Sequence, residues 1–381
     1  MTTPISRRAF TGGVLLLPAA AFAQRSSEPG GGWIVHTDDI PNREYSLPEL
    51  IETWVTPVDR FYVRSHAVTP QIDPAAYRLT VDGLVGNELS LSLEDLAAMP
   101  QVEATCTMTC AGNRRTEHSR TRRIKGVPWQ AGAIGNATWG GVALADVLEN
   151  AGMSEEATDV WFDGLDRIDR GGQTIGFGAS IPVSKVRESA GGVPGAIVCT
   201  SMNGEPLTPD HGYPVRTVVP GYIGARSVKW LGRIRAANRE NPNHYQQTAY
   251  KVVQEASDAE WSEKAPIYRF PINAVICRPR PGGGASDSMT AAGYALPPGE
   301  PGVTVGRVEV SADAGNTWVK ATLLDEPRPL CWVRWEAEVE LPSDAASLLV
   351  RAADTRGRQQ PRSAPWNKKG YLFNAWHRVE L

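Results

Sequence analysis

Cysteine is scarce in this 381-residue chain, with five in all, at 106, 110, 199, 277 and 331. So few, and an odd number, exclude a disulfide-stapled scaffold while leaving metal ligation and nucleophilic chemistry open. No Cys-x-x-Cys-His run occurs, so the sequence offers no attachment site for a c-type haem. The glycine fingerprint of a dinucleotide fold and the phosphate loop are also missing, which argues against a nucleotide cofactor. Neither sign of charge dominates: 39 basic against 42 acidic residues leave a net charge of -3. The basic cluster from Arg114 to Lys125 is local and lacks interleaved aromatics, so no nucleic-acid partner is expected. The apolar stretch from Gly12 to Phe22 is too short to span a bilayer comfortably, and no stable membrane anchor is expected.

What is present begins with an address. Ser6-Arg7-Arg8-Ala9-Phe10 forms a twin-arginine pattern ahead of that apolar stretch, and Ala21-Phe22-Ala23 offers a small-x-small cleavage site. Residues 1–23 therefore read as a signal for export of the folded protein to the periplasm, with 24–45 as an extended, Gly-, Ser- and Pro-rich arm. Such a route suits a cofactor that must be inserted before export.

The length allows two domains, and the pattern changes character near residue 256. Over 46–255, short apolar strands mix with short helices. Tyr77 to Val85 alternates as a strand ending in a turn, and Ser92 followed by Glu94-Asp95 is a helix start. Gly141 to Gly152 reads as a short amphipathic helix with a glycine stop. Over 256–381, Val303–Ser311, Cys331–Leu341 and Ala346–Ala352 alternate at strand period, and Asp313-Ala314-Gly315-Asn316 is a hairpin turn. Short strands at even spacing predict an immunoglobulin-like β-sandwich, with Pro279–Ser288 as a surface loop inside it. The fold class expected is α+β: a mixed domain followed by a sandwich.

The chemistry gathers at Thr109-Cys110-Ala111-Gly112-Asn113-Arg114-Arg115. Flanking arginines depress a thiol pKa, predicting a thiolate at neutral pH, and thiolate is a soft ligand for a transition metal or a nucleophile. The arginines supply rigid forks for an oxyanion. The competing reading is a buried structural cysteine beside a solvated basic loop. Cys106, four residues upstream, reads as a packed thiol.

This loop resembles the cysteine loop of the sulfite oxidase family of molybdenum enzymes. Three further blocks match that family in order: Phe61-Tyr62-Val63-Arg64-Ser65-His66, then Phe162-Asp163-Gly164-Leu165-Asp166, then His211 to Arg216 leading through Val219-Pro220-Gly221 to Ser227-Val228-Lys229-Trp230. The resemblance implies a catalytic domain over 46–255 that binds molybdopterin and a dimerisation sandwich over 256–381, hence a homodimer. It implies a mononuclear molybdenum held by one pyranopterin dithiolene and by Cys110 as the single protein ligand. Arg64, Ser65, His66, Asp166, His211, Arg216, Ser227, Val228 and Lys229 would anchor the pterin and its phosphate. Around the substrate it places Arg64, Arg115, Tyr250 and Trp129. One departure concerns Lys369, in Trp366-Asn367-Lys368-Lys369-Gly370, where vertebrate members carry arginine. Lysine keeps the charge and loses the bidentate fork.

The activity so implied is oxidation of sulfite to sulfate by oxygen-atom transfer, as a sulfite dehydrogenase. Without haem in this chain, electrons would pass singly to an external c-type cytochrome. Alternatives that keep the cofactor are a sulfane dehydrogenase subunit and a methionine-sulfoxide reductase, the latter disfavoured by the C-terminal sandwich. A non-catalytic periplasmic binding protein would explain the sandwich and leave the Cys110 loop without purpose.

Overall fold

A computed structural model describes residues 32–254, 257–280, 287–343 and 345–381. The expected signal and residues 24–31 of the expected arm lie outside the described residues, as does the middle of the 279–288 loop.

Ser92 starts its helix as expected. Its hydroxyl accepts from the Asp95 N–H at 3.1 Å, and the Asp95 carboxylate accepts from the Ser92 N–H at 2.8 Å. This reciprocal capping box launches Leu93–Ala98, whose Leu96 is buried. The Gly141–Gly152 reading needs correction. Gly141 to Ala143 complete the strand Ile134–Ala143, and the helix runs only over Leu144–Asn150. The reason is close backbone approach: a Cβ at Gly141 would lie 2.1 Å from the Val198 carbonyl oxygen of the neighbouring strand.

Two five-stranded sheets build the first half. One has the strand order Gly178–Pro182, Asp159–Gly164, Leu231–Ala237, Leu79–Gly83, Leu89–Leu91, with a single parallel pairing between Leu231–Ala237 and Leu79–Gly83. The other joins Glu205–Pro206, Ile197–Met202, Ile134–Ala143 and Gln101–Thr109, with Arg216–Val218 branching from Ile197–Met202. Leu79, Val81, Phe162 and Ile234 of the first sheet share a core with Val142 and Val198 of the second. The other face of the second sheet packs Cys106, Met108, Trp139 and Cys199 against Phe61, Tyr62 and Trp129. Within the described part of the expected arm, 32–45, Trp33–Thr37 pairs with Asn42–Tyr45, which pairs in turn with Val63–Arg64 in a third, antiparallel sheet.

The second half is the expected sandwich. One sheet orders Asn273–Arg278, Ser288–Leu296, Val333–Glu340, Thr322–Leu323; the facing sheet orders Val319–Lys320, Val305–Ser311, Ser347–Asp354, His377–Glu380. In Val333–Glu340 the period is clean, with Val333, Trp335, Ala337 and Val339 buried and the intervening glutamates exposed. The expected hairpin is present, Val305–Ser311 pairing with Val319–Lys320. Among the described residues, no helix is long and apolar enough to cross a membrane.

The halves do not hang from a linker; Trp33–Leu381 is one compact unit. Trp54 and Trp332 exchange indole-to-carbonyl hydrogen bonds at 3.0 and 2.9 Å. A shared apolar cluster holds Ile134, Tyr245 and Tyr250 against Val275, Tyr294, Trp332 and Tyr371. The Cys110 loop sits on this seam.

Candidate molybdopterin site

Cys110 follows directly on the strand Gln101–Thr109, and the loop after it is stapled by its own residues. The Cys110 N–H donates to the Ala133 carbonyl at 2.9 Å, and the Asn113 side chain accepts from the Ala133 N–H at 3.1 Å. The Gly112 N–H points at the sulfur, 3.4 Å from Sγ. A Cβ at Gly112 would fall 2.4 Å from Nη2 of Arg115, so glycine lets that guanidinium lie against the loop. Cys110 is buried, and its thiol pKa is raised, correcting the expectation of a depressed one. Burial is the largest cause and outweighs the opposing charges of Arg115 and Arg64 and the Gly112 hydrogen bond. A metal ion would supply the charge that favours thiolate.

The two arginines of the loop have separate fates. Arg114 takes a left-handed backbone, φ 66°, at the start of the short helix Arg115–His118. That turns its fully buried side chain away from the sulfur and into the seam. There it donates to Glu117 at 2.7 and 2.8 Å, to Asn273 Oδ1 at 2.7 Å and to the Ala375 carbonyl at 2.8 Å. It is a structural clamp, and the reading of both arginines as oxyanion forks holds for neither in full. Arg115 stays beside the loop but donates to the carbonyls of Lys369 and Val127 at 2.8 and 2.7 Å. Its guanidinium lies 5.3 Å from the Tyr371 ring, which in turn stacks on Tyr250 at 5.3 Å.

A cavity with about 690 Å³ of atom-free space, part of it open to solvent, is lined by Cys110 and Tyr250 together with Asp210 and Lys229. Of the residues expected at the site, it brings together Arg64, Ser65, His66, Cys110, Asp166, His211, Arg216, Ser227, Lys229 and Tyr250. Val228 is not among its walls; its side chain belongs to the first-half core, and its N–H donates to the Thr217 hydroxyl. Trp129 is fully buried, packs edge-on to His36 and Tyr62, and does not line the cavity. Arg115 and Lys369 sit outside its lining. Lys369 is half-buried, its ammonium 5.6 Å from the Trp261 ring.

The cavity also has walls that sequence reasoning missed, among them Met108, Phe177 and Asp210. Asp210 directly precedes the His211 block, receives Arg43 and Thr69, and its carbonyl accepts from Lys229 Nζ at 2.9 Å. Phe177 stacks on Tyr245 at 4.5 Å, and its N–H donates to Asp166. Phe177 lies away from every matched block, and Met108 and Asp210 fall just outside the blocks' edges.

Electrostatics mark the cavity as anion-seeking. Arg216 donates to the carbonyls of His211 and Ser227 at 2.9 and 3.2 Å and faces the Trp139 ring. Lys229 Nζ donates to Ser65 Oγ at 2.7 Å. Among the described residues neither these two nor Arg64 has a carboxylate within ion-pair distance, although Asp166 and Asp210 lie nearby. Burial therefore drives Lys229 down to about 7, with Arg216 adding repulsion, and holds Arg216 near 10. Burial likewise takes His211 down to about 3 and His66 well below its usual range. Arg64 Nη2 donates to His66 Nε2 at 2.8 Å, so that nitrogen is an acceptor.

These residues fit a molybdopterin. Buried cations without carboxylate partners match a terminal phosphate, and Asp166, Ser227 and His211 offer further polar partners in the same cavity. Cys110 is the soft donor in its wall. Among the described residues no three His, Cys, Asp or Glu side chains converge as a metal site.

Known proteins agree. A family model described as the oxidoreductase molybdopterin binding domain matches residues 66–245, and one described as the Mo-co oxidoreductase dimerisation domain matches 264–381. Fold and site thus define a molybdopterin oxidoreductase. The chain is 41% identical to sulfite oxidase of Gallus gallus over 352 residues, covering 88% of this chain and 75% of that protein. It is 36% identical to sulfite oxidase of Arabidopsis thaliana, covering 89% and 91%. Against the mitochondrial sulfite oxidase of Homo sapiens it spans 63% of that protein's length at 41% identity. The chain belongs to the sulfite oxidase family. The fold also matches the sulfane dehydrogenase SoxCD from Paracoccus pantotrophus, with a TM-score of 0.75 over 95% of this chain and 96% of that one, at 23% identity.

Proposed function

We propose that this chain is a sulfite dehydrogenase, oxidising sulfite to sulfate and passing the electrons singly to a c-type cytochrome. The observation that carries the reading is one cavity lined by a buried soft thiol, by Tyr250 and by the cations Arg216, Lys229 and Arg64, none of which has a carboxylate within ion-pair distance among the described residues. Similarity to sulfite oxidases over nearly the full chain supports sulfite as the substrate.

Cys110 would hold molybdenum, while Lys229, Arg216 and Arg64 would hold the phosphate and pterin ring. When bound, the cofactor supplies the two-electron acceptor and the oxygen that sulfite gains. The protein's own residues do the rest. Arg64, with Arg115 and Lys369 just outside the cavity, attracts and orients a small dianion, an electrostatic and proximity role. The Tyr250 hydroxyl lies 3.3 Å from His66 Nε2, and burial raises its pKa, so it stays a neutral hydrogen-bond donor throughout the physiological range. His66, kept neutral by burial, accepts from both Arg64 and Tyr250 and fixes their geometry. Overall, sulfite gains an oxygen derived from water and releases two electrons and two protons. No Cys-x-x-Cys-His occurs in the sequence, which supports an external cytochrome. Export by the twin-arginine route and pairing through the sandwich complete the proposal.

The deciding experiment measures sulfite-dependent reduction of ferricyanide and of cytochrome c, with molybdenum quantified in the same sample. Turnover with about one metal per chain supports the reading. Fully loaded protein that does not oxidise sulfite would overturn it and shift the assignment to another sulfur substrate.

A further inference from the structure

The arm ahead of residue 46 has no part in the mechanism above, and the molybdopterin family model begins only at residue 66. Its second strand nevertheless reaches the cofactor site at two places. Asn42 and Glu44 are two apart in Asn42–Tyr45, so their side chains share one face, and both are buried, Glu44 completely. The Asn42 amide is fixed from behind, its Nδ2 donating to the Thr37 hydroxyl at 2.8 Å and to the Ile40 carbonyl at 2.9 Å. Its Oδ1 accepts from Arg64 Nη1 at 3.0 Å and from the Ser65 N–H at 3.2 Å. A neutral oxygen thus aims the Arg64 guanidinium without cancelling its charge.

Glu44 acts on the Cys110 loop. Its Oε1 accepts from the Gln130 N–H and its Oε2 from the Gly132 N–H, each at 2.7 Å. Glycine is required at 132, because a Cβ there would lie 2.3 Å from the Tyr45 carbonyl oxygen. The segment so held is the one the Cys110 loop hangs on. The Gln130 carbonyl accepts from the Arg114 N–H at 2.5 Å, and Ala133 meets both Cys110 and Asn113. His36 completes the set of partners. Val35 pairs with Arg43 and Thr37 with Asn42, which leaves His36 as the extra residue of a bulge, its Nε2 2.7 Å from Oε1. A carboxylate stripped of water is tolerated only where its charge is answered, and here two short main-chain N–H bonds do so. Arg43, between the two, makes a partly exposed ion pair with Asp210 at 2.9 Å, and little positioning is expected from it.

We propose that Asn42 and Glu44 are positioning residues of the sulfite site with separate duties on one strand. Asn42 aims Arg64 at the anion, and Glu44 fixes, through residues 130–133, the loop that carries Cys110. The kinetic part of the test rests on the sulfite reading, whereas the metal's spectroscopic signature and anion binding do not.

The test uses the molybdenum-loaded full chain and the variants E44Q and N42A. Measured are sulfite kinetics with ferricyanide, the paramagnetic resonance of the half-reduced metal after dithionite, and calorimetric binding of sulfate, an unreactive dianion. Glutamine at 44 can accept from only one of the two N–H groups with its single carbonyl oxygen. E44Q should therefore lower kcat about tenfold or more, keep KM within about twofold, and shift the resonance, as expected when support behind a metal ligand is removed. N42A should raise KM about three- to tenfold and weaken sulfate binding by a similar factor, with kcat and the resonance unchanged, since one hydrogen bond to a charged group is lost. This split between kcat and KM is what a merely structural strand would not produce. Parent-like values in both variants, or the same loss of kcat and KM in both, would overturn the proposal. If E44Q yields no loaded protein, E44D carries the test: a lowered kcat with a shifted resonance supports the role, and parent-like values overturn it. If the loaded parent oxidises no sulfite, the sulfite reading fails by itself. A shifted resonance in E44Q and weaker sulfate binding in N42A would then still support the positioning roles, and parent-like results in both would overturn them.

Discussion

Two buried clusters of positive charge lie within this molecule, and their surroundings differ. In the seam, Arg114 meets Glu117, Asn273 and the Ala375 carbonyl, and Glu117 lies 3.7 Å from His377. Burial would raise the Glu117 carboxyl, yet Arg114 and His377 prevail and hold it below its usual value. In the cofactor cavity, Arg64, Arg216 and Lys229 satisfy their donors on carbonyls, hydroxyls and uncharged nitrogen, and no carboxylate neutralises them. In the seam the chain itself answers the buried charge; in the cavity no carboxylate does, and open space lies beside the cations.

The largest effect expected from breaking this contrast is at the thiol. Cys110→Ser should keep the fold and most of the pterin while lowering turnover by at least about a hundredfold, judged against the losses that even outer metal-site substitutions cause. Near-parental sulfite oxidation by that variant would remove Cys110 from the metal. Next comes the seam. Arg114→Met leaves the Glu117 carboxylate buried beside His377 alone, and urea unfolding should show a loss of about 3–5 kcal/mol. Arg115→Met should instead chiefly raise the sulfite KM, so equal behaviour of the two variants would erase the distinction drawn between adjacent residues.

The cavity charges make a pH prediction for cofactor-free protein. Lys229 holds its proton up to its ordinary value of 10.5 when unfolded but only to about 7 when folded. Between those values the unfolded chain binds the extra proton, so stability rises with pH, by up to about 1.4 kcal/mol per unit. The penalty is fully present below pH 7 and gone above 10.5. Relative to wild type, Lys229→Met should lose this rise in denaturation curves between pH 7.5 and 9.5; parallel curves would mean that Lys229 is not strained by burial. The smallest effect expected is from Lys369→Arg. Restoring the fork should lower the sulfite KM by about two- to fivefold, and an unchanged KM would show that residue 369 does not face the anion.

Much of this was readable in the chain because it is local. The Ser92–Asp95 capping box, the 331–341 alternation and the hairpin at Asp313 are signals carried by neighbours in sequence. The residues expected to bind the cofactor came from four short blocks, and nine of the ten line one cavity; Val228 does not, because a matched block includes residues that serve the core. What could not be read locally depended on long-range burial. Neighbouring arginines argue for a low thiol pKa, but sequence does not reveal how completely Cys110 is desolvated. Nor does it reveal that a single left-handed residue sends Arg114 and Arg115 to opposite duties. Gly141 looked like a helix start because the strand contact that requires it comes from Val198.

The loop that carries Cys110 has one further property. Ala111 accepts from the Leu372 N–H, Asn113 donates to Tyr294, Arg114 reaches Ala375, and Arg115 donates to Lys369. The Arg114–Ala375 contact spans 261 positions. A ribosome therefore makes Cys110 long before it makes the residues that hold its loop in place. Until those later residues emerge, Cys110 lies on a loop without its partners. The order in which the chain is made thus sets when this loop takes its final shape.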